Sequence, residues 1–329
     1  METTDEWIFS RTGIRKRHIS HVQTSEMASV AARRALAAAD CSGEAVDLII
    51  MATTSPDTLI PNIASTVQAE VGAQCGAFDL NAACSGFLYG VGLASSLVRS
   101  GQHQKVLVVG AERISYYIDW SRRETAVLFG DGAGAAVIEA SDAPGGVIDY
   151  ALNNDPGGRS SLNADFGTAM DRFNPSSLDY YIHLDGSEVF KRAVNGMKDL
   201  CVRLLERQGI SAEEVDLVIP HQANARIISA LANRLKVPDE KVFVNISEYG
   251  NTSAATIPVA LAEALESKRL KAGNLVLSCA FGAGLTSAAA LIRWGERTEP
   301  LTLSNAELPP CNATGRELVQ RAVDHFTNR

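Results

Sequence analysis

The sequence holds little that would place it in a membrane or a metal scaffold. Its 329 residues contain no run of about 18 apolar residues, so nothing in them reads as a membrane-spanning helix. The opening stretch from Met1 to Ser20 is charged throughout and has no apolar segment of the kind that directs secretion. The six cysteines (Cys41, Cys75, Cys84, Cys201, Cys279 and Cys311) form no Cys-x-x-Cys pair. That argues against a structural zinc site and for thiols kept reduced in a cytoplasmic setting. Positive charge is in deficit, with 30 Lys and Arg against 38 Asp and Glu. A net charge of -8 is a poor match for nucleic acid or an anionic membrane as the main partner. Aromatic residues are only 6%, yet 46% of the chain is hydrophobic, which excludes a disordered, collagen-like or coiled-coil protein.

What is present is an alternation of short apolar runs with longer helical patterns. Residues 46–53, 77–80, 106–110, 134–139, 215–220, 242–245, 275–279 and 288–294 read as strands. Residues 25–39, 62–71, 85–99, 187–208, 224–235 and 252–268 read as helices between them. Continuous apolar strands separated by helices predict an α/β fold whose sheet is covered on both faces.

The halves repeat. Val46-Asp47-Leu48-Ile49-Ile50 returns as Val215-Asp216-Leu217-Val218-Ile219, and residues 106–110 return as 275–279 at the same separation. Residues 77–80 return as 242–245 at nearly that separation. Three ordered matches predict a duplicated unit with pseudo-twofold symmetry. On this alignment Cys84 corresponds to Asn251, and Ala52 to His221. Strand ends and helix starts converge near such an axis, so Cys84, His221 and Asn251 are expected to share one pocket.

Each of the three has a chemistry and a plainer alternative. Cys84 lies among small residues in Asn81-Ala82-Ala83-Cys84-Ser85-Gly86, as in a tight strand-to-helix turn. A thiol at a helix N-terminus is expected to ionise more readily than usual; otherwise it is a small buried residue. His221, in Pro220-His221-Gln222-Ala223-Asn224, can donate to an oxyanion or exchange a proton, or else be a core histidine bonded to backbone. Asn251 can hold an oxyanion without titrating, or cap a helix. Two glycine-rich stretches differ in use. Phe129-Gly130-Asp131-Gly132-Ala133-Gly134 precedes an apolar run rather than a helix, which reads as a turn into a strand and not as a nucleotide site. Phe281-Gly282-Ala283-Gly284 could line the shared pocket with backbone N–H groups.

Residues 81–87, 220–224, 249–258 and 281–284 together resemble the four signature segments of the β-ketoacyl-ACP synthase III family. These are condensing enzymes that start fatty acid synthesis, in the thiolase superfamily. Thr4-Asp5-Glu6-Trp7 and Ser10-Arg11-Thr12-Gly13-Ile14-Arg15 resemble the family's N-terminal signature, and the likeness extends over residues 3–294. The resemblance implies a thiolase-like fold of duplicated βαβαβαββ halves layered α-β-α-β-α. One half would occupy residues 1–145 and carry Cys84. The other would occupy 146–295 and carry His221 and Asn251, leaving 296–329 as an extension.

The resemblance also implies roles. Cys84 would take an acyl group from acyl-CoA. His221 and Asn251 would promote decarboxylation of malonyl-ACP and hold the enolate. The N–H groups of Cys84 and Ala283 would form the oxyanion hole. Trp7 and Arg123, with Arg11 nearby, would flank CoA, and Arg226 would dock the acidic acyl carrier protein. Arg122 and Arg234 would add to a basic mouth. Ile60 would close the acyl pocket of the partner subunit in a homodimer. No metal or redox cofactor is implied. A specialised acyltransferase or signal-molecule synthase on the same fold is the alternative.

The sequence departs from the family at both ends. Met1 almost abuts the Thr4–Trp7 segment, so the first strand of the first half is expected to be missing and the natural start to lie upstream. Residues 295–329 run on beyond the last strand, with Pro300, Pro309 and Pro310 implying an extended arm. Residues 313–326 then read as an amphipathic helix presenting Leu318, Val319, Ala322 and Phe326, expected to pack on this subunit or on its partner.

Overall fold

A computed structural model describes residues 3–164 and 181–327, with side chains to Asp324. The first half runs α1 (Asp5–Thr12), α2 (Thr24–Ala38), β1 (Leu48–Ala52), α3 (Ala64–Val71), β2 (Gly76–Leu80), α4 (Gly86–Arg99), β3 (Lys105–Glu112), α5 (Arg123–Ala126) and β4 (Gly132–Glu139). The second runs β5 (Gly146–Asn154), β6 (Leu162–Asn163), β7 (His183–Leu184), α6 (Gly186–Gln208), β8 (Leu217–Pro220), α7 (Ala225–Leu235), α8 (Ile246–Tyr249), α9 (Thr256–Glu266), β9 (Leu275–Gly282) and β10 (Thr286–Arg293). A last helix, α10, spans Gly315–Thr327. The side chain of Phe326, expected on its apolar face, lies outside the described residues.

Two four-stranded sheets form, in the orders β2-β1-β3-β4 and β5-β10-β9-β8. In each, parallel strands are joined by helices and the last strand returns antiparallel. Helices α2 and α3 cover the outer face of the first sheet, and α6 and α7 that of the second. Helices α4 and α9 lie between the sheets and touch both. The result is the expected five-layer order. Helix α4 can serve as an inner layer because it is apolar nearly all round and its glycines admit close neighbours. A Cβ on Gly92 would stand 2.6 Å from the Tyr150 ring of the opposite sheet.

The duplication is exact enough to be seen in side-chain bonds. Asp47 Oδ2 accepts from Lys105 N at 2.9 Å, and Asp216 Oδ2 from Leu275 N at 2.7 Å. The 3-10 turn Ala83–Ser85 precedes α4 and the 3-10 turn Ser253–Ala255 precedes α9. The first residue of each has positive φ, 48° at Ala83 and 51° at Ser253. Asn81 Oδ1 accepts from Ala83 N and Asn251 Oδ1 from Ser253 N. The structure therefore pairs Asn81 with Asn251 and Cys84 with Ala254. This corrects the sequence alignment of Cys84 with Asn251, which ignored a small slip in the turn.

Other readings are also corrected. Residues 242–245 form no strand, only a bridge from Val242 to Val218. Their backbone is taken by a side chain instead: Gln222 Nε2 donates to Phe243 O and Asn245 N donates to Gln222 Oε1. The helix read over 252–268 begins at Thr256. Strand β5, not read from the sequence, pairs antiparallel with β10. Its counterpart beside β4 is not among the described residues.

Candidate active site

Three elements deliver the three expected residues to one cavity of ≈ 1350 Å³, whose walls include Cys84, His221 and Asn251. Cys84 is set by the 3-10 turn at the start of α4. The end of β9 backs onto that turn so closely that a Cβ on Gly282 would lie 2.6 Å from Cys84 N. Thr286 Oγ1 ties the same turn down by donating to Ala82 O at 2.8 Å. Ala283, next along the chain, also faces the cavity.

His221 follows β8, and its N–H donates to Cys279 O at 2.7 Å. Its Nδ1 lies 2.6 Å from Thr256 Oγ1, on the first turn of α9. Burial holds the imidazole neutral, pushing its pKa from 6.5 to about 3. Asn251 is pinned from both sides: its N–H donates to Leu128 O at 2.9 Å and its carbonyl accepts from Gly130 N at 3.0 Å. Its side-chain Oδ1 accepts from Ser253 N at 2.9 Å, which leaves the amide N–H groups for the cavity.

The thiol is not depressed as the sequence predicted. Burial pushes Cys84 up to about 12, with the Glu112 charge adding to the rise and the Ser253 hydroxyl opposing it. Desolvation of the thiolate outweighs the helix terminus because Cys84 is buried. Glu112, which sequence reasoning passed over, is a buried carboxylate at the end of β3. Ser55 Oγ donates to it at 2.5 Å, Thr54 N at 3.0 Å and Ser253 Oγ at 2.9 Å. A charged residue closing an apolar strand was the available signal.

Toward the mouth, Trp7 is flanked by two guanidinium groups, Arg123 at 4.3 Å and Arg11 at 5.9 Å from its ring centre. All three line the cavity, as do Arg159 and Phe190, which the sequence did not single out. Arg226 and Arg234 lie outside the lining, and their guanidinium groups donate to Ser10 O and Asn195 Oδ1. Arg122 pairs with Asp119 at 3.1 Å. Ile60 does not line the cavity and is 87% exposed; its equally exposed neighbour Leu59 reaches the rim. Among the described residues no group of side chains could hold a metal ion, and no helix is long and apolar enough to cross a membrane.

Comparison with known proteins adds to this geometry. The family model for 3-oxoacyl-[acyl-carrier-protein] synthase III matches residues 78–156, and the model for the C-terminal part of that family matches residues 205–294. The chain is 52% identical over 327 residues to beta-ketoacyl-[acyl-carrier-protein] synthase III 2 of Vibrio cholerae, covering 99% of this chain and 90% of that protein. It is 47% identical over 296 residues to beta-ketoacyl-[acyl-carrier-protein] synthase III of Aquifex aeolicus, covering 89% of this chain and 92% of that protein. The crystal structure of the Aquifex aeolicus synthase superposes with a TM-score of 0.83 at 46% identity, over 89% of this chain and 92% of that one. The Pseudomonas aeruginosa synthase does so with a TM-score of 0.84 at 40% identity, over 89% and 90%. The chain thus belongs to the β-ketoacyl-[acyl-carrier-protein] synthase III family, acyltransferases of fatty acid biosynthesis built on a thiolase-like fold.

Proposed function

We propose that the cavity joins an acyl-CoA primer to malonyl-ACP in two steps, with Cys84 as the acyl carrier. The observation that carries this reading is the convergence of Cys84, His221 and Asn251 in the walls of one cavity. In the first step Cys84 Sγ attacks the thioester carbonyl and CoA leaves. The N–H groups of Cys84 and Ala283 receive the oxyanion, worth about 3–4 kcal/mol for a donor of this kind. In the second step malonyl-ACP loses carbon dioxide and its enolate attacks the acyl-Cys84 carbonyl. The products are 3-oxoacyl-ACP and the free thiol.

The enolate is held by two neutral donors. If Thr256 donates to His221 Nδ1, the other ring nitrogen carries the hydrogen and faces the substrate. A neutral imidazole suits this task, since it donates without needing to titrate. Asn251 supplies the second donor, its orientation fixed by Ser253 N. Trp7 between Arg11 and Arg123 offers a stacking and charge-matched seat for the CoA adenine and phosphates. Arg226, exposed beside α1, is placed to meet the acidic carrier protein. A cytoplasmic setting suits six unpaired cysteines, and no cofactor is called for by these steps.

A homodimer completes this reading. Leu59 and Ile60 are both 87% exposed, a position better suited to insertion into a partner's acyl pocket than to water. Mass spectrometry of the intact protein tests the whole scheme. Incubation with acetyl-, butyryl-, octanoyl- and branched acyl-CoA should add one acyl group, absent from Cys84→Ala and discharged by malonyl-ACP. Acylation without discharge would favour the specialised acyltransferase instead.

A further inference from the structure

His221 and Asn251 serve one enolate, yet they sit on different loops, His221 after β8 and Asn251 after α8. A chain of side-chain hydrogen bonds spans the interval and ends on one carboxylate. Gln222, buried next to His221, accepts from Asn245 N on its Oε1 at 3.1 Å. Its Nε2 donates to Pro220 O at 2.8 Å and to Phe243 O at 3.2 Å. Asn245, also buried, donates from Nδ2 to Glu263 Oε2 at 2.6 Å. The hydroxyl of Tyr249, which closes α8 just ahead of Asn251, donates to Glu263 Oε1 at 2.6 Å.

Glu263 stands on the face of α9 that also holds Thr256, two turns earlier in the helix. Thr256 Oγ1 lies 2.6 Å from His221 Nδ1. One helix face therefore meets the His221 ring at one end and the segment leading to Asn251 at the other. Both bonds to Glu263 are short and charge-assisted, which makes them stronger than bonds between neutral groups. Among the described residues Glu263 pairs with no cation, so its two oxygens go to two neutral donors of a single segment. The Tyr249 ring also stacks on His18, with ring centres 5.4 Å apart. The Cys84 turn takes no part in this chain: it is held by the end of β9 and by Thr286 Oγ1.

We propose that Glu263 is a positioning residue that fixes the spacing of the His221 and Asn251 donors, and so governs decarboxylation and condensation while leaving acylation of Cys84 alone. It lies outside the cavity lining and acts only through Tyr249, Asn245 and Gln222. Loss of the carboxylate would free Tyr249 and Asn245 together. The loop of Asn251 and, through Gln222, that of His221 would then drift apart. A displacement of about 1 Å costs up to about a hundredfold in rate. The cost falls on the step in which both donors hold one developing charge.

The inference rests on the condensing reading, and the test separates the two. The full chain is acylated with whichever acyl-CoA reacts fastest. Two single-turnover rates are then read by rapid quench and intact mass: acylation of Cys84, and discharge of that acyl group by malonyl-ACP. In Glu263→Ala, which frees two donors, discharge should fall about thirtyfold or more, with acylation kept within about twofold. Tyr249→Phe, which removes one bond, should cost about tenfold in discharge alone. Glu263→Gln should restore discharge to within about threefold, since its amide can accept from Asn245 and donate to the Tyr249 oxygen. Equal falls in both rates would mean a purely structural role and overturn the inference, as would unchanged discharge in Glu263→Ala. Should Glu263→Ala fail to fold, Tyr249→Phe decides alone by the same split. Wild-type acyl-Cys84 that malonyl-ACP does not discharge would instead overturn the condensing reading, and with it the enolate that the two donors serve.

Discussion

At the scale of single residues, the site works by burial more than by charge. His221 shows the consequence for stability. Its folded pKa, about 3, lies below the ordinary 6.5, so the stability it contributes is complete above pH 6.5 and is lost as pH falls toward 3. At pH 5 that loss is about 2 kcal/mol, and His221→Gln should not suffer it. Urea unfolding at pH 8 and pH 5 should show the gap between the two pH values shrinking by that amount in the variant. Thr256→Val removes the oxygen beside His221 Nδ1. We expect about a tenfold loss of decarboxylation and condensation, the worth of one buried hydrogen bond, with acylation of Cys84 unchanged. Equal losses in both steps would show that Thr256 does more than orient the ring. Cys84, His221 and Asn251 were legible in the sequence because each lies in a stretch of small or polar residues, the first two just after a strand. Glu112 was not, because its burial depends on residues 53–55 and 253, which come to it only on folding.

At the scale of elements, the two turns that start α4 and α9 decide the geometry. The Ala83–Ser85 turn meets the end of β9, where Gly282 leaves room for Cys84 N. The Ser253–Ala255 turn meets the end of β3, where Glu112 accepts from Ser253. The same crossing thus occurs twice, once with a glycine and once with a carboxylate. Gly282→Ala should force the Cys84 turn aside. We expect acylation by any acyl-CoA to fall at least a hundredfold, read by intact mass, with a stability cost of about 1–3 kcal/mol from overpacking. The alternation of strands and helices was readable here because the strands of the inner ladders are apolar at nearly every position. Strand β5 escaped notice because it is an edge strand, half-buried, with Asp149 paired to Arg207 at 2.6 Å in its middle. Helix α1 is short and polar, and holds by its caps: Trp7 N donates to Thr4 Oγ1, and Gly13 N to Phe9 O.

At the scale of the whole molecule, the extension after β10 runs back over the first half. Leu301 N and Thr302 N donate to Ala38 O and Ala37 O, carbonyls at the C-terminal end of α2, the second of which also accepts from Asp40 N. Arg34 Nε donates to Ala306 O, and His21 Nε2 lies 2.7 Å from Pro309 O. The sequence announced an extended arm through its prolines, but its seat could not be read, since nothing in the arm's own pattern names α2. The match to the Vibrio cholerae relative covers 99% of this chain and so takes in the arm. Removing residues 296–329 should cost about 2 kcal/mol in urea unfolding, from a handful of exposed hydrogen bonds, while Cys84 acylation at 25 °C stays within twofold. A collapse of acylation would mean the arm shapes the cavity.

The arm also changes the chain's connectivity. Besides the bonds that cross at the cavity, the chain passes from one half to the other by the short link from β4 to β5 and returns to the first by the arm on α2. Covalent backbone and hydrogen bonds together close the molecule into a ring, with the reaction cavity on the seam. Prying the halves apart would require the arm to peel first, so the amides of Leu301 and Thr302 become the latch whose exchange with deuterated water times the opening of that seam.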